Sequence, residues 1–166
     1  KKTKKKQNEF DIKIINKNEE KGDKILNKLN KLLKKYYGYE NLKQEQYEII
    51  KNILEGRDVC GILPTGFGKS LCFQLPYLYT KKNVIVISPL IALMEDQLRQ
   101  LNSMNIPGCC LNSNNTNKIE ELKKIYEGET KIIYMSPEYL MANCHILEKL
   151  KESLISFFQF CNSSLN

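Results

Sequence analysis

The sequence has no Trp, a single His, and no apolar run that approaches the length of a bilayer span. The last absence excludes a transmembrane helix in these residues, so no membrane partner is expected. The basic start, Lys1-Lys2-Thr3-Lys4-Lys5-Lys6, is not followed by an apolar stretch, which excludes a secretory signal. The chain does not begin with Met, so an upstream part is expected. The six cysteines, Cys60, Cys72, Cys109, Cys110, Cys144 and Cys161, form no Cys-x-x-Cys pair and are read as reduced core thiols of a cytosolic or nuclear protein. His145 has only Cys144 beside it, and two adjacent residues do not make a metal site. It is read as an ordinary helix position.

What is abundant is Lys. The net charge is +7, but it is not evenly spread. Residues 1–35 hold 13 Lys against 5 acidic residues, a balance of +8. Residues 36–166 hold 13 Lys and Arg against 14 acidic residues, a balance of −1. The basicity therefore belongs to the leader and the part beyond it is nearly neutral. Residues 1–20 read as a disordered leader, and their Lys run as a nuclear address, a phosphate-binding arm or a solvated tail.

Beyond the leader, Ile25, Leu26, Leu29, Leu32, Leu33 and Tyr36 share one helical face, and Gly38 stops that helix. A second helix is expected over about Lys43 to Glu55. Strands and helices then alternate. Strands are expected at Val59–Leu63, Asn83–Ile87, Gly108–Leu111, Lys131–Met135 and Ser153–Phe160. Helices are expected at Ser70–Tyr79, Leu90–Leu101, from Thr116 or Asn117 to Tyr126, and at Pro137–Leu150. The Asn-rich segment Asn112–Asn117 reads as a loop. This rhythm predicts an α/β domain with a parallel sheet covered on both faces.

The chemistry concentrates in Pro64-Thr65-Gly66-Phe67-Gly68-Lys69-Ser70, between an apolar run and a helix. Two glycines allow backbone angles that a Cβ forbids, so loop N–H groups can converge on phosphate oxygens. Lys69 suits the β- and γ-phosphates and the Ser70 hydroxyl suits Mg²⁺. The following helix turns its positive end to the same place. The common phosphate-loop pattern opens on a Gly, where this chain has Leu63.

Four blocks occur in order. They are Tyr37-Gly38-Tyr39-Glu40-Asn41-Leu42-Lys43-Gln44-Glu45-Gln46, then the loop continuing through Ser70-Leu71-Cys72-Phe73-Gln74-Leu75-Pro76, then Ile87-Ser88-Pro89-Leu90-Ile91-Ala92-Leu93-Met94-Glu95-Asp96-Gln97-Leu98, and Tyr134-Met135-Ser136-Pro137-Glu138-Tyr139-Leu140. Over residues 36–150 the chain resembles the RecQ family of DNA helicases, in motifs zero, I, Ia and Ib. Met94-Glu95-Asp96-Gln97 is most similar to the Werner syndrome helicase branch. The resemblance implies that residues 21–166 are part of a first RecA-like, P-loop ATP-binding domain. It also accounts for Leu63, because loops of this type carry an apolar residue or Ala there. It implies ATP and Mg²⁺ as cofactors, and DNA with a single-stranded segment as partner. The activity implied is ATP hydrolysis coupled to 3′-to-5′ unwinding in DNA repair and recombination. The place implied is the nucleus, or the cytoplasm in a prokaryotic or viral setting.

Carried over by position, Gln46 would read the adenine edge and Tyr39 would stack on the base. Lys43 stands where the family usually has Arg, which makes a looser clamp. Tyr39 is otherwise a core aromatic at a helix boundary. Pro64, Thr65, Gly66, Phe67, Gly68, Lys69 and Ser70 would hold the phosphates, with Lys69 the catalytic cation. Ser88, Pro89 and Leu90, with Ser136 and Pro137, would touch the DNA backbone at two exposed helix N-termini. Plain capping by the two serines accounts for them equally well. The family's Asp-Glu-Ala-His motif would follow the strand near Phe160, but no Asp or Glu follows Glu152. The expectation is a fragment that binds nucleotide without turning it over, with an unpaired apolar edge near Phe157–Phe160. A non-catalytic binding remnant or another P-loop enzyme are the alternatives.

Overall fold

The computed structural model describes residues 22–112 and 117–159, with the backbone alone for 155–159. The expected leader at 1–20, the cap at Thr116, most of the Asn-rich loop, and Phe160 to Asn166 with Cys161 lie outside the described residues. The chain divides into two compact units, Lys1–Lys43 and Gln44–Asn166.

The first unit contains helix α1, residues 22–37. Leu29 and Leu33 are fully buried on its apolar face. Gly38 ends it at φ +75, with its N–H on the Lys34 carbonyl at 3.1 Å, as the sequence predicts. The segment after it folds back on the helix. Leu42 donates its N–H to Asn30 Oδ1 at 3.0 Å, Asn30 donates to Asn41 Oδ1 at 3.2 Å, and Lys34 pairs with Glu40 at 2.8 Å.

The second unit runs α2 (Gln44–Leu54), α3 (Leu71–Thr80), β1 (Asn83–Ile87), α4 (Ile91–Ser103), β2 (Gly108–Leu111), α5 (Lys118–Tyr126), β3 (Ile132–Met135), α6 (Pro137–Ala142), α7 (His145–Leu150) and β4 (Leu154–Gln159). The four strands form one sheet in the order β2-β3-β1-β4, and every pairing is parallel. Period-two alternation sends Ile85, Ile87, Cys109, Leu111, Ile133 and Met135 to one face, where they join Ile125, Tyr139, Ile146 and Leu150 from α5, α6 and α7. Tyr134 points to the other face, edge-on to Phe73 of α3 at 6.2 Å. Gly108 lies under α4 there. A Cβ on it would meet Leu101 Cδ1 at 2.9 Å and Leu98 Cδ1 at 3.2 Å, so a side chain here would push both leucines of α4 off the strand. Both faces are covered, as β1 and β3, buried along their whole length, require.

Two elements differ from the sequence expectation. Val59–Leu63 is not a strand among the described residues. A strand exists only by pairing, and this segment pairs with none of the four; Ile62 stands 90% exposed. The expected helix Pro137–Leu150 is two short helices. Asn143 uses its side-chain Nδ2 on the Tyr139 carbonyl at 2.9 Å, the acceptor that its own N–H would take in a continuous helix. That N–H goes to Leu140 instead, and the chain breaks and restarts. α3 also continues past Pro76 to Thr80, where it ends on Lys81 in the left-handed region at φ 62.

Candidate functional site

The loop Pro64–Ser70 enters α3. Its turn closes with Phe67 N–H on the Pro64 carbonyl at 3.3 Å, and Gly66 and Gly68 sit at φ +76 and +82, conformations that favour glycine. The first turn of α3 hangs on loop carbonyls: Leu71 on Gly68, Cys72 on Lys69, Phe73 and Gln74 on Ser70. Among the described residues, the N–H groups of Gly66, Gly68, Lys69 and Ser70 have no hydrogen-bond partner. Ser70 takes the N-cap position, yet its side chain makes no capping bond. Lys69 is half-buried and, among the described residues, in no ion pair. Four open donors, an unspent hydroxyl and a cation in seven residues suit a polyanion that also carries a metal. The residues fit both ATP phosphates and Mg²⁺.

Gln46 of α2 is buried, and its Nε2 donates to the Phe67 carbonyl at 2.8 Å and reaches the Gly68 carbonyl at 3.4 Å. The sequence placed Gln46 at the adenine edge and gave no sign of this bond to the loop, which spans 21 residues. Tyr39 and Lys43 fall in the other unit. Tyr39 is 63% exposed, which removes the reading as a core aromatic.

Ser88 and Ser136 stand at the strand-to-helix turns after β1 and β3. Both are buried rather than exposed. Ser136 caps α6 by accepting from Tyr139 N–H at 3.2 Å, and Ser88 Oγ accepts from Leu90 N–H at 3.3 Å. α4 takes Leu90, not Ser88, as its N-cap residue. The hydroxyls shape the turns, and what remains open is Pro89 and Leu90, with Pro137 half-buried. The two turns are neighbours, because Ile87 pairs with Met135 and Ser88 N–H bonds the Met135 carbonyl at 3.1 Å.

Between the helices and the sheet lies a polar patch that the sequence did not show. Gln74 is fully buried in α3 and reaches Gln97 Oε1 at 3.4 Å. The Tyr134 hydroxyl is buried beside it without a well-aligned partner, and burial pushes the phenol well above its usual range. Cys72, Cys109 and Cys110 are core thiols. Burial pushes Cys72 up to about 12 and raises the other two as well. Cys60 and Cys144 are exposed, contrary to the expectation of core cysteines throughout, because Cys60 lies in the unpaired 57–62 segment and Cys144 in the break between α6 and α7.

The sequence pattern of the DEAD/DEAH box helicases matches residues 43–160. The chain belongs to that family. Its relatives are of RecQ and Werner type. It is 44% identical over 123 residues to the mouse (Mus musculus) bifunctional 3'-5' exonuclease/ATP-dependent helicase WRN, covering 74% of this chain and 9% of that one. It is 40% identical over 116 residues to the ATP-dependent DNA helicase RecQ of Synechocystis, covering 69% and 24%. It is 50% identical over 125 residues to a protein of Acanthamoeba polyphaga mimivirus that is provisionally named an ATP-dependent RNA helicase, covering 75% and 23%. The chain thus spans less than a quarter of each of these relatives. Its fold is similar, at TM-score 0.61 and 21% identity, to the crystal structure of the DUF1998 helicase MrfA bound to DNA, over 76% of this chain and 20% of that one. With the parallel sheet, this fixes the fold as RecA-like α/β.

The described helices include none long and apolar enough to cross a membrane, and the described residues include no cluster of three or more candidate metal ligands.

Proposed function

We propose that the chain is the nucleotide-binding part of a RecQ-type, ATP-dependent DNA helicase that couples ATP hydrolysis to 3′-to-5′ unwinding. The observation that carries this reading is the loop: four unpartnered N–H groups, Lys69 and the free Ser70 hydroxyl stand at the start of a buried helix. Pro64 and Thr65 open the turn, Phe67 lends its carbonyl to Gln46, and Gly66, Gly68, Lys69 and Ser70 hold the phosphates. Lys69 is the cation for charge that develops on the transferring phosphoryl, and Ser70 is the Mg²⁺ ligand. Bound Mg²⁺ would supply further neutralisation of that charge. Tyr39, Lys43 and Gln46 serve the adenine. For Gln46 that role requires its amide to be shared between base and loop.

The nucleic-acid side is the pair of adjacent turns after β1 and β3. Pro89, Leu90 and Pro137 meet the backbone of a single-stranded segment there, and Ser88 and Ser136 hold the turns in shape. The same reading gives a nuclear protein, or a cytoplasmic one in a prokaryotic or viral setting.

The test is fluorescent ATP-analogue binding with and without Mg²⁺, compared with Lys69→Ala, together with phosphate release in the presence of DNA or RNA. Loss of at least tenfold in affinity is expected in Lys69→Ala, and any phosphate release by the unaltered chain should be lost with it. Equal affinity in the variant, or phosphate release that survives Lys69→Ala, overturns the site.

A further inference from the structure

We infer that α1 carries a second nucleic-acid contact, a stripe of Lys24, Lys28, Lys31 and Lys35 that binds the phosphate backbone without reading sequence. The four lysines follow one another at spacings of four, three and four residues, the repeat that stacks side chains on one helix face. At about 100° per residue they fall within an arc of roughly 60°. All four are exposed. The opposite face holds Leu29 and Leu33, both buried. The stripe extends roughly 16 Å along the helix, enough to follow several phosphates. Among the described residues of α1, Asp23 is the only acidic one, and it lies off the stripe.

A general richness in Lys does not account for this. The same chain balances 13 cations with 14 anions over residues 36–166, so the excess is particular to this helix and the segment before it. The partner is an extended polyanion rather than an anionic membrane. An amphipathic helix that lies in a lipid surface must bury its apolar face there, and here Leu29 and Leu33 at the centre of that face are already buried, with Ile25, Leu26, Leu32 and Tyr36 partly so. Lys35 Nζ lies over the Tyr36 ring at 5.2 Å, but the row offers ammonium point charges on flexible stems and no planar guanidinium fork, which suits phosphates and not base edges.

The inference rests on nucleic acid being the partner and is independent of the ATP site. Its test is the salt dependence of oligothymidylate binding by the full chain, followed by fluorescence anisotropy. Each phosphate neutralised on a single strand contributes about 0.7 to the slope of log K against log salt. Lys24→Gln, Lys28→Gln, Lys31→Gln and Lys35→Gln together are expected to flatten the slope by about 3. The four Arg replacements are expected to keep it. A control that removes the same charge elsewhere, at Lys82, Lys123, Lys149 and Lys151, is expected to change it by less than about 1. Circular dichroism checks that the helix survives. Equal slopes in stripe and control variants overturn the inference while leaving the nucleic-acid reading intact. No binding of oligothymidylate by the unaltered chain overturns both. Stripe-dependent binding to phosphatidylserine vesicles in place of oligothymidylate would reassign the surface to a membrane.

Discussion

Gly68→Ala tests how the phosphate loop is held, and Gly66→Ala is its internal control. The two glycines have nearly the same backbone, φ +82 and +76, so an L side chain at either costs about 1–2 kcal/mol of left-handed strain. Loss of freedom in the unfolded chain offsets about 0.4–1 kcal/mol of that. Their surroundings differ. No atom lies within 4 Å of a Cβ placed on Gly66, whereas one on Gly68 lands 2.8 Å from Gln46 Nε2 and 3.4 Å from Leu71 Cδ1. Gln46 is flexible but buried, and its amide already donates to Phe67. If it yields, a buried donor loses its partner, at about 1–3 kcal/mol. Gly68→Ala is therefore expected to cost about 1–3 kcal/mol more than Gly66→Ala. Urea unfolding at equilibrium reads the difference, provided the m-values agree. A double-mutant cycle sharpens it. Gln46→Ala should cost about 1 kcal/mol less in the Gly68→Ala background than alone, because the bond is already lost. Equal costs at the two glycines, together with additive effects in the cycle, would refute the claim that the Gln46 amide is wedged against the loop.

Ser136→Ala removes the only side-chain cap of α6 and is expected to lower stability by about 1 kcal/mol; urea unfolding checks it, and an unchanged midpoint would show the cap to be idle. Tyr134→Phe deletes a buried hydroxyl that lacks a well-aligned partner, so it should be neutral or stabilising by up to about 1 kcal/mol, and a clear loss would mean that the hydroxyl is bonded to Gln74 in solution. The Cys72 thiol is raised by burial from its ordinary 9.0 to about 12. Its unfolded form therefore ionises first, so the stability it lends is complete below pH 9 and fades between pH 9 and 12, at up to about 1.4 kcal/mol per pH unit. Cys72→Ala should flatten that part of the stability–pH curve. Exposed Cys60 and Cys144 should react with a thiol reagent in the native chain before Cys72, Cys109 and Cys110, and mass spectrometry after brief labelling would show the order.

The parts of this fold that were legible in the sequence are those whose signal is local. Asn83–Ile87 is β-branched along its length and has to be a buried strand, and α4 shows its face through Met94 and Leu101. Gly38, Gly56 and Gly128 mark helix ends, and each is at positive φ. The misjudged parts depend on pairings that residue type and periodicity do not display. Val59–Leu63 has the composition of a strand, but pairing belongs to two segments and none of the four strands pairs with it. The break at Asn143 turns on one side-chain amide outcompeting the backbone for the Tyr139 carbonyl, a contest that periodicity does not register.

The site divides along the same line. Gly66, Gly68, Lys69 and Ser70 carry their chemistry in residue type and order, which is why the loop could be read directly. Ser88 and Ser136 could not be read so simply, because a hydroxyl at a strand-to-helix turn can face a ligand or the chain's own N–H groups, and here both are buried and accept from such N–H groups. Gln46 is the instructive case. An amide that can read a base can equally hold a carbonyl, and here it holds Phe67 at the centre of the loop. If the same amide also meets adenine, base and phosphate recognition share one side chain. Nucleotide binding then has to disturb the Gln46–Phe67 bond, and Gln46→Ala would alter the shape of the empty loop as well as its affinity for the base.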